Sequence, residues 1–381
     1  MPPVSAPSVL FVFGTRPEAI KLAPVFLALK QPGAPLQPRV CVTGQHRAIL
    51  DVMLARFGIT AEHDLEVMRP DQTLNGLTAR VLEGLDRYLA SRPPDFVLVQ
   101  GDTTTTMAAA LAAFHRRIPV GHVEAGLRTG DLTQPFPEEI NRVLATRLAA
   151  LHFAPTERAR AQLLAEGVDP ATVEVTGNTA IDALLYTKAK LEAGQWPGYD
   201  GPLPPAGRAL VVVTAHRRES FGEGFERICE GLRRVAASGR AEIVYPVHPN
   251  PNVGAVVRRL LGAQPGVHLI EPLDYVPFVD LMRRAAVLLT DSGGIQEEGP
   301  SLGVPVLVMR EKTERQEAVE AGAARLVGTD PAAIAHGVEA ALRRQPAGGP
   351  VTAIRNPFGD GRAAPRIVAA IDRFLKASGR S

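Results

Sequence analysis

The sequence predicts an α/β protein made of two doubly wound, Rossmann-like domains. Three observations indicate this fold class. The chain has 381 residues, more than one hydrophobic core usually organises, so two domains of roughly 150 to 200 residues each are expected. Short apolar runs rich in β-branched residues alternate with longer helical patterns. A segment rich in Gly and Pro, residues 194–207, interrupts this alternation and is typical of a linker.

The apolar runs predict the strands of two parallel sheets, because they are apolar almost throughout and helices cover such strands on both faces. The runs before the linker are residues 8–13, 38–43, 95–100 and 118–123. The runs after it are residues 208–214, 241–246, 267–270, 286–290 and 304–309. We therefore expect one domain over residues 1–190 and a second over 191–362.

Composition argues against several classes of protein. The net charge of +2 provides little excess field for a polyanion, so we expect no nucleic-acid partner. Cys41 and Cys229 lie far apart, which predicts neither a disulfide framework nor a zinc site, and the nine histidines have no metal-ligand spacing. No signal peptide is evident, and no uninterrupted apolar stretch reaches about 18 residues. We expect a cytoplasmic protein without metal or membrane contact.

Polar residues follow several predicted strands at the point where each strand ends. Arg16 and Lys21 lie near the start of the helix after the first strand. Asp102 follows the strand 95–100, and Glu124 follows the strand 118–123. In open α/β sheets, ligands bind beyond these carboxyl ends, where a carboxylate faces a cleft and must be desolvated or paired. These residues are therefore candidates for an acid/base site.

Three more residues have ordinary explanations beside a catalytic one. Glu138 and Arg142 have i,i+4 spacing on a helix predicted to open at Pro137, and a surface salt bridge is the default interpretation. His216 follows the strand 208–214 and suits a helix cap or a core position as well as a catalyst. Grouped around one cleft with Asp102, Glu124 and Arg16, these side chains would form an acid/base apparatus.

The segment LLTDSGGIQEEGPSLGVPVLV has the strand, glycine turn and helix layout in which backbone N–H groups bind phosphate. Ser292, Gly293 and Gly294 form the turn, and Glu298 is placed to accept hydrogen bonds from ribose hydroxyls. Arg315 is a candidate for a further nucleotide contact. The alternatives are a tight turn capped by its own Asp or Ser side chain, and a surface i,i+4 ion pair for Arg315.

The fingerprint of a dinucleotide oxidoreductase is missing from both predicted domains. Gly222 and Gly224 lack the third glycine, because Arg227 stands in its place. Residues 359–364 fit G-x-G-x-x-A but follow no strand. The sequence therefore argues against hydride transfer.

Ten motifs carry a family resemblance from residue 13 to residue 364. They are FGTRPEAIKLAPV, TGQH, GDTTTTMAAA, HVEAGLRTGD, PFPEEINR, TAHRRESFG, PVHPNPNV, YVPFVDLM, TDSGGIQEEGPSLGVPVLVMREKTERQEAVEAG and NPFGDGRA. In this order they resemble the bacterial non-hydrolysing UDP-N-acetylglucosamine 2-epimerases. The resemblance implies a glycosyltransferase-B-like pair of domains with the active site in the inter-domain cleft, a homodimer and no cofactor. It also implies a C-terminal nucleotide-binding domain and a last helix, within 363–381, that packs back on the first domain.

The resemblance further implies a reaction and its residues. The family interconverts UDP-N-acetylglucosamine and UDP-N-acetylmannosamine by eliminating UDP to a 2-acetamidoglucal and adding it again, and the product supplies cell-envelope polysaccharide synthesis. The catalytic set carried over is Asp102, Glu124, Glu138, Arg142 and His216. The UDP-binding set carried over is Arg16, Lys21, Phe278, Ser292, Gly293, Gly294, Glu298 and Arg315.

A second, activating site for UDP-N-acetylglucosamine is also implied by the resemblance. The matching residues are Gln45, His46, Arg69, Gln72 and His248; without the resemblance they would be ordinary polar loop residues. Three alternative functions stay open: a hydrolysing relative that releases UDP and N-acetylmannosamine, a transferase of the same fold, and a noncatalytic sensor of nucleotide sugars.

Overall fold

The computed structural model describes residues 6–44, 47–344 and 356–379. The chain divides into two compact units, Met1–Ala183 with Phe358–Ser381 and Leu184–Pro357. Each unit has its own parallel sheet, so the predicted fold class of two Rossmann-like α/β domains is confirmed. The predicted division after residue 190 falls inside a helix, Thr179–Glu192.

Unit 1 has seven strands: β1 Ser8–Phe13, β2 Gln37–Val42, β3 His63–Asp64, β4 Phe96–Gln100, β5 Val120–Val123, β6 Leu151–Ala154 and β7 Val173–Val175. Their order in the sheet is β3-β2-β1-β4-β5-β6-β7. The helices are α1 Arg16–Leu29, α2 Arg47–Arg56, α3 Leu74–Ser91, α4 Thr104–His115, α5 Glu138–Leu148 and α6 Glu157–Ala165, and α7 Thr179–Glu192 begins in unit 1 and ends in unit 2. The four strands predicted here are present. β3, β6 and β7 were not predicted, because runs this short resemble loop sequence.

The core of unit 1 lies on both faces of its sheet. All of β4 and most of β1 are buried, as parallel strands covered by helices require. At the centre of β5 the fit is tight: a Cβ added to Gly121 would lie 2.7 Å from the ring of Phe96 and 3.0 Å from that of Phe153. Only glycine leaves room there for both aromatic side chains.

Unit 2 has six strands: β8 Ala209–Thr214, β9 Ala241–Pro246, β10 Val267–Ile270, β11 Val287–Thr290, β12 Val306–Val308 and β13 Ala324–Leu326. Their order is β10-β9-β8-β11-β12-β13. The helices are α8 Glu223–Ala237, α9 Pro251–Leu261, α10 Tyr275–Arg284, α11 Gly293–Glu298, α12 Gln316–Glu320 and α13 Pro331–Arg344. All five strands predicted here are present, and β13 was not predicted.

The last described helix, α14 (Ala363–Ala377), belongs to unit 1, where it packs on α1. The carboxylate of Asp182 accepts the N–H groups of Ala363 and Ala364 at 3.2 and 2.8 Å and so caps its first turn. The ring of Phe374 meets that of Phe96 edge-on. Among the described helices, none has both the length and the hydrophobicity that a membrane span requires.

Candidate functional site

Three loops of unit 1, after β1, β4 and β5, surround a cavity of about 500 Å³. They lie at the carboxyl ends of the strands, beside the point where the strand order reverses between β1 and β4. The structure brings four of the predicted residues together in the cavity wall. The lining consists of Thr15, Arg16, Pro17, Glu18, Lys21, Gln100, Gly101, Asp102, Thr103 and Glu124.

Glu124 is held in this wall as a nearly buried carboxylate. Its side chain is 7% exposed, and the Lys21 Nζ lies 2.6 Å from both of its oxygens. The amides of Gln100 and Asn178 also donate to it, the second at 3.5 Å. The backbone φ of Glu124 is 65°, a left-handed conformation that is uncommon outside glycine. The sharp turn after β5 therefore aims this carboxylate into the cavity, where lysine offsets its charge.

Asp102 forms the second charged pair of the cavity, with Arg142 of α5. Its side chain is 28% exposed, whereas the Arg142 side chain is 12% exposed. The neighbouring Asn141 donates from its amide to the Asp102 carbonyl at 2.9 Å, which fixes the loop backbone as well. Helix α5 thus supplies both a cation for Asp102 and a hydrogen bond that holds the backbone of the loop after β4.

The predicted i,i+4 salt bridge between Glu138 and Arg142 is wrong. Arg142 turns toward Asp102 and toward Glu139, whose carboxylate lies 2.9 Å away at i,i+3 spacing. Glu138 is half-buried and has no hydrogen-bond partner among the described residues. The helix itself begins at Glu138, and Pro137 is its N-cap rather than its first residue.

Glu139 is a residue of this region that sequence reasoning missed. It is 1% exposed, and its Oε1 accepts the N–H groups of Thr129 and Gly130 at 3.0 and 3.2 Å. Glu139 therefore ties the loop after β5 to helix α5. Two adjacent glutamates look alike in a sequence, and the only available signal was that Glu139 and Arg142 share a helix face at i,i+3 spacing.

Glu18 was also missed, although it lines the cavity. Its Oε2 accepts N–H groups from Gly14 and Thr15 at 3.1 and 2.8 Å, and its Oε1 accepts the Thr103 hydroxyl at 2.6 Å. Burial raises the pKa of this carboxyl, while these hydrogen bonds oppose the shift. Glu18 joins the loops after β1 and β4. The Thr-x-x-Glu spacing from Thr15, a capping-box pattern, was the signal in the sequence.

His122 of β5 supports the same loop from within the sheet. Its Nε2 lies 2.7 Å from the carbonyl oxygen of Gly101, the residue before Asp102. Complete burial lowers the pKa of His122 to about 4, so the ring is neutral near pH 7 and donates that hydrogen bond from Nε2. Sequence patterns could not indicate this role, because His122 lies inside an apolar strand.

In unit 2, the loops after β8 and β11 bring His216 and Asp291 together. The buried Asp291 accepts the backbone N–H groups of His216 and Arg217 on Oδ2 at 2.6 and 2.7 Å, and the His216 Nδ1 lies 3.2 Å from Oδ1. The ring of His216 stacks on that of His248 at 5.2 Å. Asp291 thus caps the turn after β8 rather than the glycine turn that follows it, which corrects the capping alternative.

The glycine turn of unit 2 leads into α11 without a side-chain cap from Ser292. Arg315 pairs with the buried Glu297 and lies against Gly293, where an added Cβ would be 3.4 Å from the guanidinium carbon. The alternative of a surface i,i+4 pair for Arg315 is therefore wrong. Gly294 is exposed at the turn, and Glu298 and Phe278 are half-buried.

The residues carried over for an activating site are divided between the units. In unit 1, the exposed Arg69 donates from Nη1 to the carbonyls of Glu66 and Met68, and Gln72 accepts from Arg80. In unit 2, His248 follows β9; burial and the nearby His216 lower its pKa. Gln45 and His46 lie outside the described residues. Within the described residues, no group of three or more His, Cys, Asp and Glu side chains is arranged for a metal ion.

Known proteins match this chain over nearly its whole length. A family model described as UDP-N-acetylglucosamine 2-epimerase matches residues 29–372. The UDP-N-acetylglucosamine 2-epimerase of Escherichia coli K12 is 53% identical over 371 residues, which are 95% of this chain and 98% of that protein. The chain belongs to the UDP-N-acetylglucosamine 2-epimerase family. The resemblance of the ten motifs to UDP-N-acetylglucosamine 2-epimerases is thereby confirmed, without a distinction between hydrolysing and non-hydrolysing members.

Solved structures of similar proteins agree with this assignment. The UDP-GlcNAc 2-epimerase of Neisseria meningitidis, bound to UDP-GlcNAc, has a TM-score of 0.83 at 44% identity, over 96% of this chain and 100% of that one. A glycotransferase of kitacinnamycin shares the fold alone, with a TM-score of 0.62 at 15% identity, over 98% and 100% of the two chains. The epimerase-family chain thus has the two-domain, Rossmann-like glycosyltransferase-B fold.

Proposed function

We propose that the protein interconverts UDP-N-acetylglucosamine and UDP-N-acetylmannosamine, without hydrolysing them, by eliminating and re-adding UDP. The observation that carries this proposal is that two carboxylates, each paired with a cation, share one cavity: Glu124 with Lys21 and Asp102 with Arg142. Membership of the family supports it, and so does the Neisseria relative whose structure holds UDP-GlcNAc.

The chemistry requires both an acid/base group and a stabilised leaving group. The proton on carbon 2 is not α to a carbonyl, so it becomes removable only as UDP departs and positive character builds at carbon 1. A carboxylate takes that proton, the carbon 1–oxygen bond breaks with its electron pair going to UDP, and a carbon 1–carbon 2 double bond forms. Adding the proton to the opposite face and UDP to carbon 1 gives the epimer, with no net oxidation.

The acids of unit 1 suit the proton transfers. The proton leaves one face of carbon 2 and a proton returns to the other face, which requires more than one acid/base group. Asp102 and Glu124 line the same cavity. We assign them, with Glu138, to these steps. Arg142 offsets the negative charge of Asp102, and Lys21 offsets that of Glu124. These two cations let the site accept an anionic substrate beside its own carboxylates.

Cationic and hydrogen-bonding groups are assigned to UDP. We propose that His216 stabilises the departing diphosphate, and that ribose and base bind in unit 2. The remaining UDP-binding set is Arg16, Lys21, Phe278, Ser292, Gly293, Gly294, Glu298 and Arg315. We further propose that the protein acts in the cytoplasm as a homodimer, needs no cofactor, is activated by UDP-N-acetylglucosamine through the residues carried over, and supplies cell-envelope polysaccharide synthesis.

One experiment tests the proposed function: incubation with UDP-N-acetylglucosamine in heavy water, followed by proton NMR. We expect deuterium at carbon 2 in two UDP-sugars, since the proton removed exchanges with solvent before it returns. Free N-acetylmannosamine together with UDP would instead identify a hydrolase. An unchanged substrate without added acceptor would contradict both activities and favour a transferase or a sensor.

A further inference from the structure

A carboxylate outside the predicted site holds the imidazole of His216. Asp291 follows β11, and its side chain is 0% exposed. Its Oδ2 accepts two backbone N–H groups, from His216 and Arg217, at 2.6 and 2.7 Å. Its Oδ1 has no hydrogen-bond donor at good geometry among the described residues, but the His216 Nδ1 lies 3.2 Å away. The imidazole is thus the group placed to satisfy this oxygen.

The turn that carries His216 is fixed from its other side as well. The hydroxyl of the buried Tyr245 donates to the Ala215 carbonyl at 2.9 Å. The hydroxyls of Thr214 and Thr290, the last residues of β8 and β11, lie 2.6 Å apart. Backbone contacts therefore set where the imidazole sits, and Asp291 sets how its ring protons are arranged.

A buried carboxylate oxygen without a donor is costly, because it has lost its hydration without compensation. A proton on Nδ1 of His216 removes this cost, and in the neutral ring it leaves a lone pair on Nε2. Burial alone would raise the pKa of Asp291, but the hydrogen bonds from His216 and Arg217 outweigh it and hold this pKa below its ordinary range. The carboxylate is thus charged and favours a protonated neighbour.

The ring of His248, which stacks on that of His216, carries its proton on the other nitrogen. The Nδ1 of His248 accepts the backbone N–H of Asn250 at 3.2 Å, so the proton of this ring is on Nε2. Burial and the nearby His216 lower the pKa of His248, which keeps it neutral. Of the two imidazoles, that of His216 is the one that faces the Asp291 carboxylate.

We propose that Asp291 is a positioning residue that keeps a proton on Nδ1 of His216, so that Nε2 gives a proton to the departing diphosphate and takes it back. This inference rests on the proposed function. The step uses the imidazolium form of His216, in which Nε2 carries a second proton taken from solvent. As the carbon 1–oxygen bond breaks, that proton passes to the phosphate oxygen that receives the electron pair, and the ring is left neutral with its proton on Nδ1. On re-addition that proton returns to Nε2, so the cycle consumes none.

Asp291→Asn should move the proton of the neutral His216 ring from Nδ1 to Nε2. The two backbone N–H groups hold the amide oxygen where Oδ2 was, so the amide NH₂ faces Nδ1 of His216 and forces the ring proton onto Nε2. In ¹⁵N NMR, with the His216 signals identified by their loss in His216→Gln, we expect protonated Nδ1 in the unaltered protein and protonated Nε2 in Asp291→Asn. We also expect kcat to fall roughly 10²-fold or more with little change in KM.

Asp280→Asn is the matched control. Asp280 is another fully buried carboxylate of unit 2, which accepts the N–H of Tyr199 at 2.8 Å and pairs with Arg283 and Arg284. Its replacement should lower the melting temperature but leave the His216 signals and kcat unchanged. If the drop in kcat of Asp291→Asn came only from a loss of stability, Asp280→Asn would show a similar drop.

The outcomes separate the two proposals. Neutral His216 protonated on Nε2 in the unaltered protein would overturn the inference even if Asp291→Asn did not fold. An unchanged kcat in folded Asp291→Asn would overturn it as well. If the unaltered protein fails to epimerise UDP-N-acetylglucosamine, the proposed function fails, and the role of Asp291 in that reaction fails with it. The NMR measurement would then still report the ring tautomer, since it needs no substrate.

Discussion

Both sheets reverse their strand order beside their first strand, between β1 and β4 in unit 1 and between β8 and β11 in unit 2. The loops at these two points use different chemistry. In unit 1, Glu124 and Asp102 contact cationic side chains. In unit 2, Asp291 is held by backbone N–H groups and an imidazole. One fold thus holds carboxylates against cationic side chains in one unit and an imidazole against a carboxylate in the other.

The largest expected effect follows from removing the acids of unit 1. Asp102→Asn, Glu124→Gln and Glu138→Gln should each lower kcat by about 10²- to 10⁴-fold, because each removes a proposed acid or base. Steady-state rates of UDP-N-acetylglucosamine conversion, with circular dichroism to check folding, measure this. Asp86→Asn is the control, since it removes an exposed carboxylate paired with Arg116. Near-normal turnover in any one of the three would exclude that residue from catalysis.

The buried His122 gives unit 1 a dependence on pH. The pKa of His122 is lowered to about 4 by burial, whereas in the unfolded chain it is about 6.5. Between these values the unfolded chain binds the proton and the folded one does not, so stability is lost as the pH falls from about 6.5 to about 4. The loss amounts to about 3 kcal/mol.

Urea unfolding across this pH range checks the prediction. His122→Gln should flatten the slope relative to the unaltered protein, because glutamine keeps a donor near the Gly101 carbonyl but does not titrate. His115→Gln, which removes an exposed histidine at the end of α4, is the control and should leave the slope nearly unchanged. Equal slopes in all three proteins would show that His122 is not the group responsible.

Removing a cation tests how strongly unit 1 depends on its ion pairs. Lys21→Met should lower the free energy of unfolding by about 1–3 kcal/mol, because it leaves the nearly buried Glu124 without that partner. Lys376→Met, which breaks the more exposed pair with Asp372, should cost about 0.5 kcal/mol or less. Urea unfolding at neutral pH compares the two. A similar loss of unfolding free energy in the two variants would mean that water reaches the Glu124 carboxylate.

The smallest expected effect concerns nucleotide binding in unit 2. Glu298→Ala and Arg315→Ala should raise KM roughly tenfold with kcat nearly unchanged, because the proposed contacts to ribose and base would be equal in the ground and transition states. Glu320→Ala, on the neighbouring α12, is a control that should leave KM unchanged. A large fall in kcat at saturating substrate would place Glu298 or Arg315 at the reacting sugar.

The sequence predicted the fold through its buried strands and the polar side chains at their ends. Arg16, Lys21, Asp102 and Glu124 share a cavity because the carboxyl ends of parallel strands share one edge of a sheet. The sequence could not show which carboxylate Arg142 contacts, because i,i+3 and i,i+4 partners are equally near on a helix. The family resemblance, not the spacing, placed this arginine in the catalytic set.

The contacts that hold the loops were harder to predict than the loop residues themselves. Asp291 and His216 are 75 positions apart, and Arg315 and Glu297 are 18 apart. Such pairs arise from strand order and crossover, which a single sequence does not state. His122 is the extreme case, because its burial inside β5 makes it look like any core position.

The closing helix has a consequence for the order in which the protein folds during synthesis. Helix α14 is capped by Asp182, yet Asp182 and Ala363 are 181 positions apart, and the segment between them includes the whole of unit 2. A ribosome therefore completes the strands of unit 2 before it releases the segment that covers α1 and meets Phe96. Unit 2 can reach its native state first, whereas unit 1 must wait with one apolar face uncovered. A premature stop near Phe358 would leave that face open to aggregation.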